Sequence, residues 1–194
     1  MAHRSLVLAT RNPHKLREFA RLLDGHGIGI EPLPPEVGLP PENGSTFAEN
    51  ALPKARTAAA ATNRIAIADD SGIEADALDG APGVRSARFA GEHATDQENL
   101  EKLLREAPPG SGVRYVCVIA YVDPRTGTEQ LFTGHCAGRL AASPRGSGGF
   151  GYDPAVVPDD APDGRTMAEL DDSEKDAISH RGRAARALIA WLAR

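Results

Sequence analysis

The sequence is poor in the features that mark cross-linked, membrane-embedded and nucleic-acid-coating proteins. Its 194 residues include only two cysteines and one tryptophan, and no apolar run approaches the ~18 residues of a membrane helix. The net charge is small and negative, −5, from 22 Lys+Arg against 27 Asp+Glu. We therefore expect no disulfide scaffold, no contact with a membrane and no binding of nucleic acid polymers through their phosphate backbone.

The remaining composition is that of an ordinary globular protein. Hydrophobic residues make up 41% of the chain, and a chain of this length buries roughly 70% of its unfolded surface. We expect one domain over residues 1–194. The early apolar run at 6–9 is too short for a signal-peptide core, so a cytoplasmic location is expected. Cys117 and Cys136 each lie in an alternating apolar stretch, which is typical of buried free thiols.

The first third of the chain predicts a strand at 5–10 followed by a helix that Asn12 caps. Apolar residues on that helix form one stripe through Leu16, Phe19, Ala20 and Leu23. The segment 30–44 contains five prolines and is predicted to be irregular.

A second helix is predicted from a capping box at 46–49 to residue 61, with a kink at Pro53. A short strand at 64–69 is then expected to turn at 69–72 into another strand at 73–78.

The rest of the chain predicts a capped helix after Thr95, two long strands at 113–122 and 129–140 joined by a hairpin turn, a glycine-rich loop at 146–152 and a C-terminal helix. Helices and strands alternate early and a hairpin comes late. This order predicts an α/β fold with a mixed sheet flanked by helices.

Lys15 is placed in the first turn of the first helix, where unpaired N–H groups and the helix dipole attract anions. A lysine at this end of a helix is favourable when an anion neutralises it. A solvated surface lysine is the alternative interpretation.

Asp69 and Asp70 follow an apolar strand, and consecutive strand residues point to opposite faces. Only one of the two carboxylates can therefore face a given site. Mg²⁺ needs one or two protein carboxylates together with phosphate oxygens and water. Glu42 or Glu49 could complete such a site. The alternative is a turn in which Asp and Ser bond the local backbone.

The segment 146–151 fits the pattern G-x-G-x-x-G, but it does not link a strand to a helix as a dinucleotide-binding loop does. We interpret it as a loop that lets a ligand approach the backbone, with Phe150 or Tyr152 as a stacking face. A plain surface loop is the alternative.

Lys175, His180 and Arg181 form a polar cluster near the C-terminal helix. Singly, His180 is typical of a local hydrogen-bonding residue and Arg181 of a surface ion pair. Taken with Lys15 and Lys54, these cations favour a polyanionic ligand bound with a divalent metal.

The order of these segments resembles that of the inosine/xanthosine triphosphate pyrophosphatase family, the Ham1-like group that removes non-standard purine nucleotides. The resemblance extends from residue 6 to about residue 190. Six motifs carry it: Thr10-x-Asn12-x-x-Lys15, Thr46-Phe47-x-Glu49-Asn50-Ala51-x-x-Lys54-Ala55, Ala68-Asp69-Asp70-Ser71-Gly72, Gly83-Val84-x-Ser86-Ala87-Arg88, Gly148-Gly149-Phe150-Gly151-Tyr152-Asp153 and Ser179-His180-Arg181-Gly182.

The resemblance implies hydrolysis of dITP, ITP and XTP to the monophosphate and pyrophosphate with Mg²⁺. It implies a long mixed sheet with two lobes around a central substrate cleft, usually in a homodimer. Glu42 and Asp70 would hold the metal, and Asp70 would accept the proton of the attacking water. The implied substrate contacts are Thr10, Arg11, Asn12, Pro13, His14, Lys15, Lys54, Ser71, Phe150, Gly151, Tyr152, Asp153, Lys175, His180 and Arg181, with Lys15 as the main phosphate charge.

Backbone N–H groups at 179–182 are expected to recognise the 6-oxo group of the base, because adenine's amino group would leave such donors unpaired. Two other functions are kept open. One is a Maf-like pyrophosphatase acting on pyrimidine or modified nucleotides, and the other is a nucleotide sensor without turnover.

Overall fold

The structure is a computed structural model that describes residues 4–161 and 163–194. Within these residues six strands are formed: β1 (Arg4–Leu8), β2 (Ile28–Pro32), β3 (Ala66–Ala75), β4 (Gly112–Asp123), β5 (Thr128–Leu140) and β6 (Val156–Pro158). Five α-helices accompany them: α1 (Pro13–Asp24), α2 (Phe47–Thr62), α3 (Asp96–Glu106), α4 (Asp172–Ile178) and α5 (His180–Leu192).

The strands form one sheet in the order β2-β1-β3-β4-β5-β6. β1 pairs in parallel with β2 and with β3, whereas β5 pairs antiparallel with β6. This combination confirms the predicted α/β fold with a mixed sheet.

The chain forms two compact units. The first unit contains the described residues up to Asp70, Cys117–Gly134 and Arg181–Arg194, and the second contains Ser71–Val116 and His135–His180. Each unit has its own core, built around Phe19 and Leu188 in the first and around Leu103 and Met167 in the second. The single domain over residues 1–194 stays a prediction.

No helix in the described part of the chain is long and apolar enough to cross a membrane. Cys117 and Cys136 are free and buried, as predicted. Burial raises the pKa of the Cys117 thiol to about 12.

The irregular segment expected from residue 30 begins later than predicted. Residues 28–32 form β2, whose last pair joins Leu8 to Pro32. β2 is an edge strand, and a proline at the end of an edge strand removes no hydrogen bond from the sheet. The expectation for 30–32 was therefore wrong, while the part from 33 to 46 contains no helix or strand.

The predicted turn at 69–72 is also wrong, because β3 continues through it to Ala75. Gly72 serves close packing here, since a Cβ at this position would overlap the Ser86 side chain. The Ser86 hydroxyl accepts a hydrogen bond of 2.8 Å from the Ile73 amide. The segment predicted as a separate strand at 73–78 ends in a 3₁₀ turn at Asp76–Leu78.

On α1 the predicted apolar stripe is wrong at one position. Phe19 and Leu23 are buried, but Ala20 is exposed and Glu18 is buried in its place. The face of α1 that packs inward is thus rotated toward Glu18. α2 starts at the predicted capping box and contains Pro53 without interruption, and the kink expected there stays a prediction.

The later elements match the predictions for α3, β4, β5 and the C-terminal helix. One helix was missed. α4 is capped by Asp171, whose side chain accepts from the Glu174 amide while the Glu174 side chain accepts from the Asp171 amide. This D-x-x-E capping box is visible in the sequence and was the signal for α4.

Candidate active site

The loop between β1 and α1 is organised by Asn12. Its Oδ1 accepts hydrogen bonds from the amides of His14 at 2.8 Å and Lys15 at 3.3 Å, and its own amide donates to Thr10 Oγ1 at 3.1 Å. Pro13 takes the first helical position, where no N–H is needed. These contacts confirm the predicted cap, which places Lys15 in the first turn of α1.

Lys15 belongs to a buried chain of alternating charges that we call the Asp69 network: Lys15, Asp69, Arg181 and Glu18. Lys15 Nζ is 2.9 Å from Asp69 Oδ2, and Arg181 Nη2 is 3.4 Å from the same oxygen. A second nitrogen of the Arg181 guanidinium, Nη1, donates to Glu18 Oε2. Since only 15% of the Lys15 side chain is exposed, the interpretation of Lys15 as a solvated surface residue is wrong.

The cations of the network control the ionisation of Asp69. Burial alone would raise the pKa of this carboxyl, but the charges of Lys15 and Arg181 hold the pKa well below its usual range. Asp69 is therefore a fixed negative charge at neutral pH. Glu18 was missed by sequence reasoning, because only its position three residues after Lys15 hinted that it shares a helix face with that lysine.

Asp70 lies among different partners, which we call the Asp70 site: Glu42, Asn50, Lys54 and Asp70. Asn50 Nδ2 donates to Asp70 Oδ2 at 2.9 Å, and Lys54 Nζ lies 3.8 Å from Asp70 Oδ1. Lys54 also donates to Glu42 Oε1 and, at 2.7 Å, to the Asp69 carbonyl. Burial and the nearby Glu42 raise the pKa of Asp70 although Lys54 opposes them.

This geometry agrees with the prediction that only one of the two carboxylates, Asp69 or Asp70, can face a given site. Asp69 contacts Lys15 and Arg181, whereas Asp70 contacts Asn50 and lies near Lys54. Asn50 was not among the predicted site residues, although it lies in the helix that carries Lys54.

Glu42 and Asp70 fit a magnesium ion by the chemistry of their oxygen donors. Both carboxylates lie against one positive charge, the Lys54 ammonium, so this position already favours a cation. Glu49 is engaged elsewhere, because its Oε2 accepts from the Ser45 amide and hydroxyl. Within residues 4–161 and 163–194 no group of three or more His, Cys, Asp or Glu has metal-site spacing. Two carboxylates match Mg²⁺ that keeps water and phosphate oxygens as further ligands.

Arg11, which is predicted to contact phosphate, is hydrogen-bonded to the proline-rich segment. Its guanidinium donates to the carbonyl oxygens of Leu33, Pro34, Pro35 and Val37 at 2.7 to 3.2 Å. His14 is exposed and pairs with Arg17 at 2.9 Å. The phosphate contacts of Arg11 and His14 stay predictions.

The second unit contains a separate group, the Asp153 cluster: Tyr115, Phe150, Asp153, Lys175 and His180. The Tyr115 hydroxyl donates to Asp153 Oδ1 at 3.0 Å, while the Phe150 amide and Lys175 Nζ donate to Oδ2 at 2.9 and 2.8 Å. Lys175 Nζ lies 5.4 Å from the centre of the Phe150 ring. Asp153 and Lys175 are 3% and 5% exposed, so this is a buried ion pair.

The glycine-rich loop depends on its missing side chains. Gly149 has a φ of +68°, and a Cβ there would overlap Asp153 Oδ2 and lie 3.0 Å from Lys175 Nζ. Gly151 donates its amide to Asp96 Oδ2 at 3.1 Å. Residues 146–149 are exposed, so the loop lies at the surface, and its contact with a ligand stays a prediction.

Of the two aromatic residues proposed as a stacking face, Phe150 is the more accessible. Phe150 is half-buried, whereas Tyr152 is 7% exposed and its hydroxyl donates to the Ser86 carbonyl at 2.7 Å. Tyr152 thus belongs to the core of the second unit.

The Ser179 amide donates to the Lys175 carbonyl at 2.8 Å. This amide is therefore already engaged and is not one of the donors to the base that were expected at 179–182. His180 and Arg181 begin α5.

The predicted site residues are distributed over both units. Those in the first unit are Thr10, Arg11, Asn12, Pro13, His14, Lys15, Glu42, Lys54, Asp70 and Arg181, and those in the second unit are Ser71, Phe150, Gly151, Tyr152, Asp153, Lys175 and His180.

Comparison with known proteins identifies the relatives of this chain. The sequence profile of the Ham1 family matches residues 6–191. The chain belongs to the Ham1 family. Among its Ham1 relatives, the dITP/XTP pyrophosphatase of Symbiobacterium thermophilum is 51% identical over 95% of this chain and 92% of the relative. That of Cutibacterium acnes is 46% identical over 95% and 94%.

Solved Ham1 structures share the fold. The HAM1 protein of Coxiella burnetii superimposes with a TM-score of 0.85 at 42% identity and covers 98% of both chains. The nucleoside-triphosphatase (dITP/XTP pyrophosphatase) of Mycobacterium abscessus gives a TM-score of 0.72 at 43% identity, over 95% of this chain and 98% of that one.

Proposed function

We propose that this Ham1 chain hydrolyses the non-canonical purine nucleotides dITP, ITP and XTP to the monophosphate and pyrophosphate, which cleanses the nucleotide pool. The relatives named dITP/XTP pyrophosphatase support this activity. One observation of the structure carries the proposal: Lys54 joins Glu42 and Asp70 beside a buried network that contains Lys15 and Arg181.

We assign the triphosphate to the first unit. Lys15 and Lys54 offset phosphate charge, and the positive end of the α1 dipole favours an anion next to Lys15. Asp70 accepts the proton of the water that attacks the α-phosphorus, a role favoured by its raised pKa. Thr10, Arg11, Asn12, Pro13 and His14 complete the assigned phosphate contacts.

Glu42 and Asp70 would hold Mg²⁺. When bound, Mg²⁺ offsets the charge of the transferred and leaving phosphate oxygens. Lys54 already lies against both carboxylates, so it keeps these two acids close together.

We assign base recognition to the second unit, to Phe150, Gly151, Tyr152, Asp153, Lys175 and His180, with Ser71 as a further substrate contact. Arg181 of the first unit is assigned to the substrate as well. Phe150 offers an aromatic face, and the buried Asp153 and Lys175 offer an acceptor and a donor in fixed positions.

Product identification tests the reaction. Incubation of the protein with ITP and Mg²⁺ is expected to give IMP and pyrophosphate, and recovery of IDP with orthophosphate would contradict attack at the α-phosphorus. Hydrolysis of dTTP or UTP in preference to dITP would favour a Maf-like enzyme. Tight ITP binding without product would favour a sensor.

We also propose that the enzyme acts in the cytoplasm as a homodimer. Two buried free thiols are consistent with a reducing compartment, and the dimer rests on the family resemblance alone. Light scattering after size-exclusion chromatography is expected to give twice the chain mass of 20.4 kDa, and the monomer mass would contradict the dimer.

A further inference from the structure

Tyr115 contacts two predicted base-binding residues and was not itself among the predictions. It lies on β4 and is 5% exposed. Its hydroxyl donates to Asp153 Oδ1 at 3.0 Å, and its ring stacks on the His180 imidazole with centroids 4.7 Å apart and an interplanar angle of 10°. One side chain thus contacts Asp153 through its hydroxyl and His180 through its ring.

The hydroxyl contact determines how the Asp153 carboxylate is oriented. Oδ2 already accepts from the Phe150 amide and Lys175 Nζ, and Tyr115 holds the other oxygen. A buried carboxylate that loses a donor is destabilised and turns to recover it. Burial, reinforced by Asp153, raises the pKa of Tyr115 well above its ordinary value, so the hydroxyl keeps its proton and remains a donor at neutral pH.

The stacked ring determines the plane of His180. The two rings are nearly parallel, and both residues are almost fully buried. An imidazole packed in this way cannot rotate out of its plane without displacing Tyr115. Removal of the phenol ring would therefore free His180, whereas removal of the hydroxyl alone would not.

We infer that Tyr115 is a positioning residue for purine recognition, which fixes the Asp153 carboxylate through its hydroxyl and the His180 imidazole through its ring. This inference rests on the proposed function. The hydrogen bond and the ring contact of Tyr115 are both made within the Asp153 cluster. Its loss should therefore weaken binding of the base and leave binding of pyrophosphate unchanged.

The first test compares Tyr115→Phe with Tyr121→Phe. Tyr121 lies on the same strand, is 4% exposed and packs edge-on against Trp191 at 5.0 Å, so it is a matched control. For Tyr115→Phe we expect the KM for ITP to rise about 5- to 20-fold with kcat and the inhibition constant of pyrophosphate within about 2-fold. Tyr121→Phe should leave all three within about 2-fold.

Two results would overturn the inference: an unchanged KM for ITP, or a parallel rise in the KM and the pyrophosphate constant. A wild-type protein that releases no pyrophosphate from ITP would count against the proposed function instead, because that result does not involve position 115.

A second measurement needs no destabilising variant. With 3-fluorotyrosine in place of Tyr115, the ¹⁹F resonance should shift on addition of IMP and stay unchanged with pyrophosphate. The same label in place of Tyr121 should respond to neither. If the ¹⁹F resonance at position 115 does not shift on addition of IMP, the positioning role is refuted, whether or not the enzyme turns over.

Discussion

Two adjacent carboxylates, Asp69 and Asp70, differ in their surroundings and hence in their ionisation. Lys15 and Arg181 lower the pKa of Asp69 against the effect of burial, whereas burial and Glu42 raise that of Asp70. Environments that push neighbouring pKa values apart separate acid–base roles. Asp69 therefore suits a permanent countercharge and Asp70 a proton acceptor.

Replacing Asp70 by Asn should lower the turnover of ITP at least ~10²-fold, because the amide neither accepts the water's proton nor offers a charged metal ligand. The fold should persist, since Asn50 can still donate to the new side-chain oxygen. Pyrophosphate release measures turnover, and circular dichroism checks the fold. Asp123→Asn, at the end of β4, is the matched control, because that carboxylate accepts a hydrogen bond from the exposed Arg125 amide. Near-wild-type turnover in the Asp70 variant would remove Asp70 from the mechanism.

At the scale of single residues, the sequence predicted those whose roles follow from contacts with near neighbours along the chain. Asn12 was found because a cap bonds amides two and three residues away, and Lys15 because of its place in that first turn. Glu18, Asn50 and Tyr115 were not predicted as site residues, since their partners lie 163, 20 and 38 residues away along the chain.

The segment between β2 and α2 contains Glu42 but has no helix or strand of its own. Arg11 holds its beginning through four carbonyl oxygens. An irregular segment that presents a metal ligand needs such contacts, because its backbone lacks partners in the sheet.

Arg11→Ala should make this segment mobile, since all four carbonyl contacts are lost together. We expect limited proteolysis within residues 33–46 to become about 10-fold faster. Arg17→Ala is the control, because Arg17 is exposed on α1 and pairs with His14 on the same helix. Equal cleavage rates in the wild type and the Arg11 variant would show that the segment does not depend on this guanidinium.

The glycine-rich loop offers a second test at the scale of elements. Gly149 and Gly127 have nearly the same positive φ, +68° and +70°, but only at Gly149 would a Cβ meet other atoms. Substitution by Ala should cost each variant about 1 kcal/mol of backbone strain. Gly149→Ala should in addition displace Asp153 or Lys175.

Steady-state kinetics distinguish these effects. We expect the KM for ITP to rise at least about 10-fold in Gly149→Ala and to stay within about 2-fold in Gly127→Ala. If both variants keep the wild-type KM, the loop does not position the base-binding residues.

For the whole molecule, the buried cysteines give a simple measure of integrity. Cys117 and Cys136 are fully buried, and the Cys117 thiol has a pKa of about 12, so it carries almost no reactive thiolate at neutral pH. Ellman's reagent should leave the native protein unlabelled for hours and react with two thiols per chain in denaturant. Cys136→Ala should reduce that count to one. Rapid labelling of the native protein would contradict the burial of these side chains.

The sequence predicted the class of the fold and most of the longer elements, but it missed β2, β6 and α4 and placed a turn at 69–72 where β3 continues. Capping boxes at Thr46 and Thr95 are local signals and located α2 and α3 correctly. The turn predicted at 69–72 failed because Asp, Ser and Gly are typical of turns. Here tertiary contacts use them differently, since Asp69 pairs with distant cations and Gly72 makes room for Ser86.

The uninterrupted course of β3 makes the register of this strand critical. Side chains alternate between the faces of a strand, so a shift by one residue exchanges the faces of all that follow. Deleting a single residue between Ala66 and Ala68 would present Asp70 toward Lys15 and Arg181 and turn Ser71 toward Asn50 and Lys54. The chain would keep both acids and lose the distinction between them, so even the shortest deletion in this stretch is expected to be less tolerated than most substitutions.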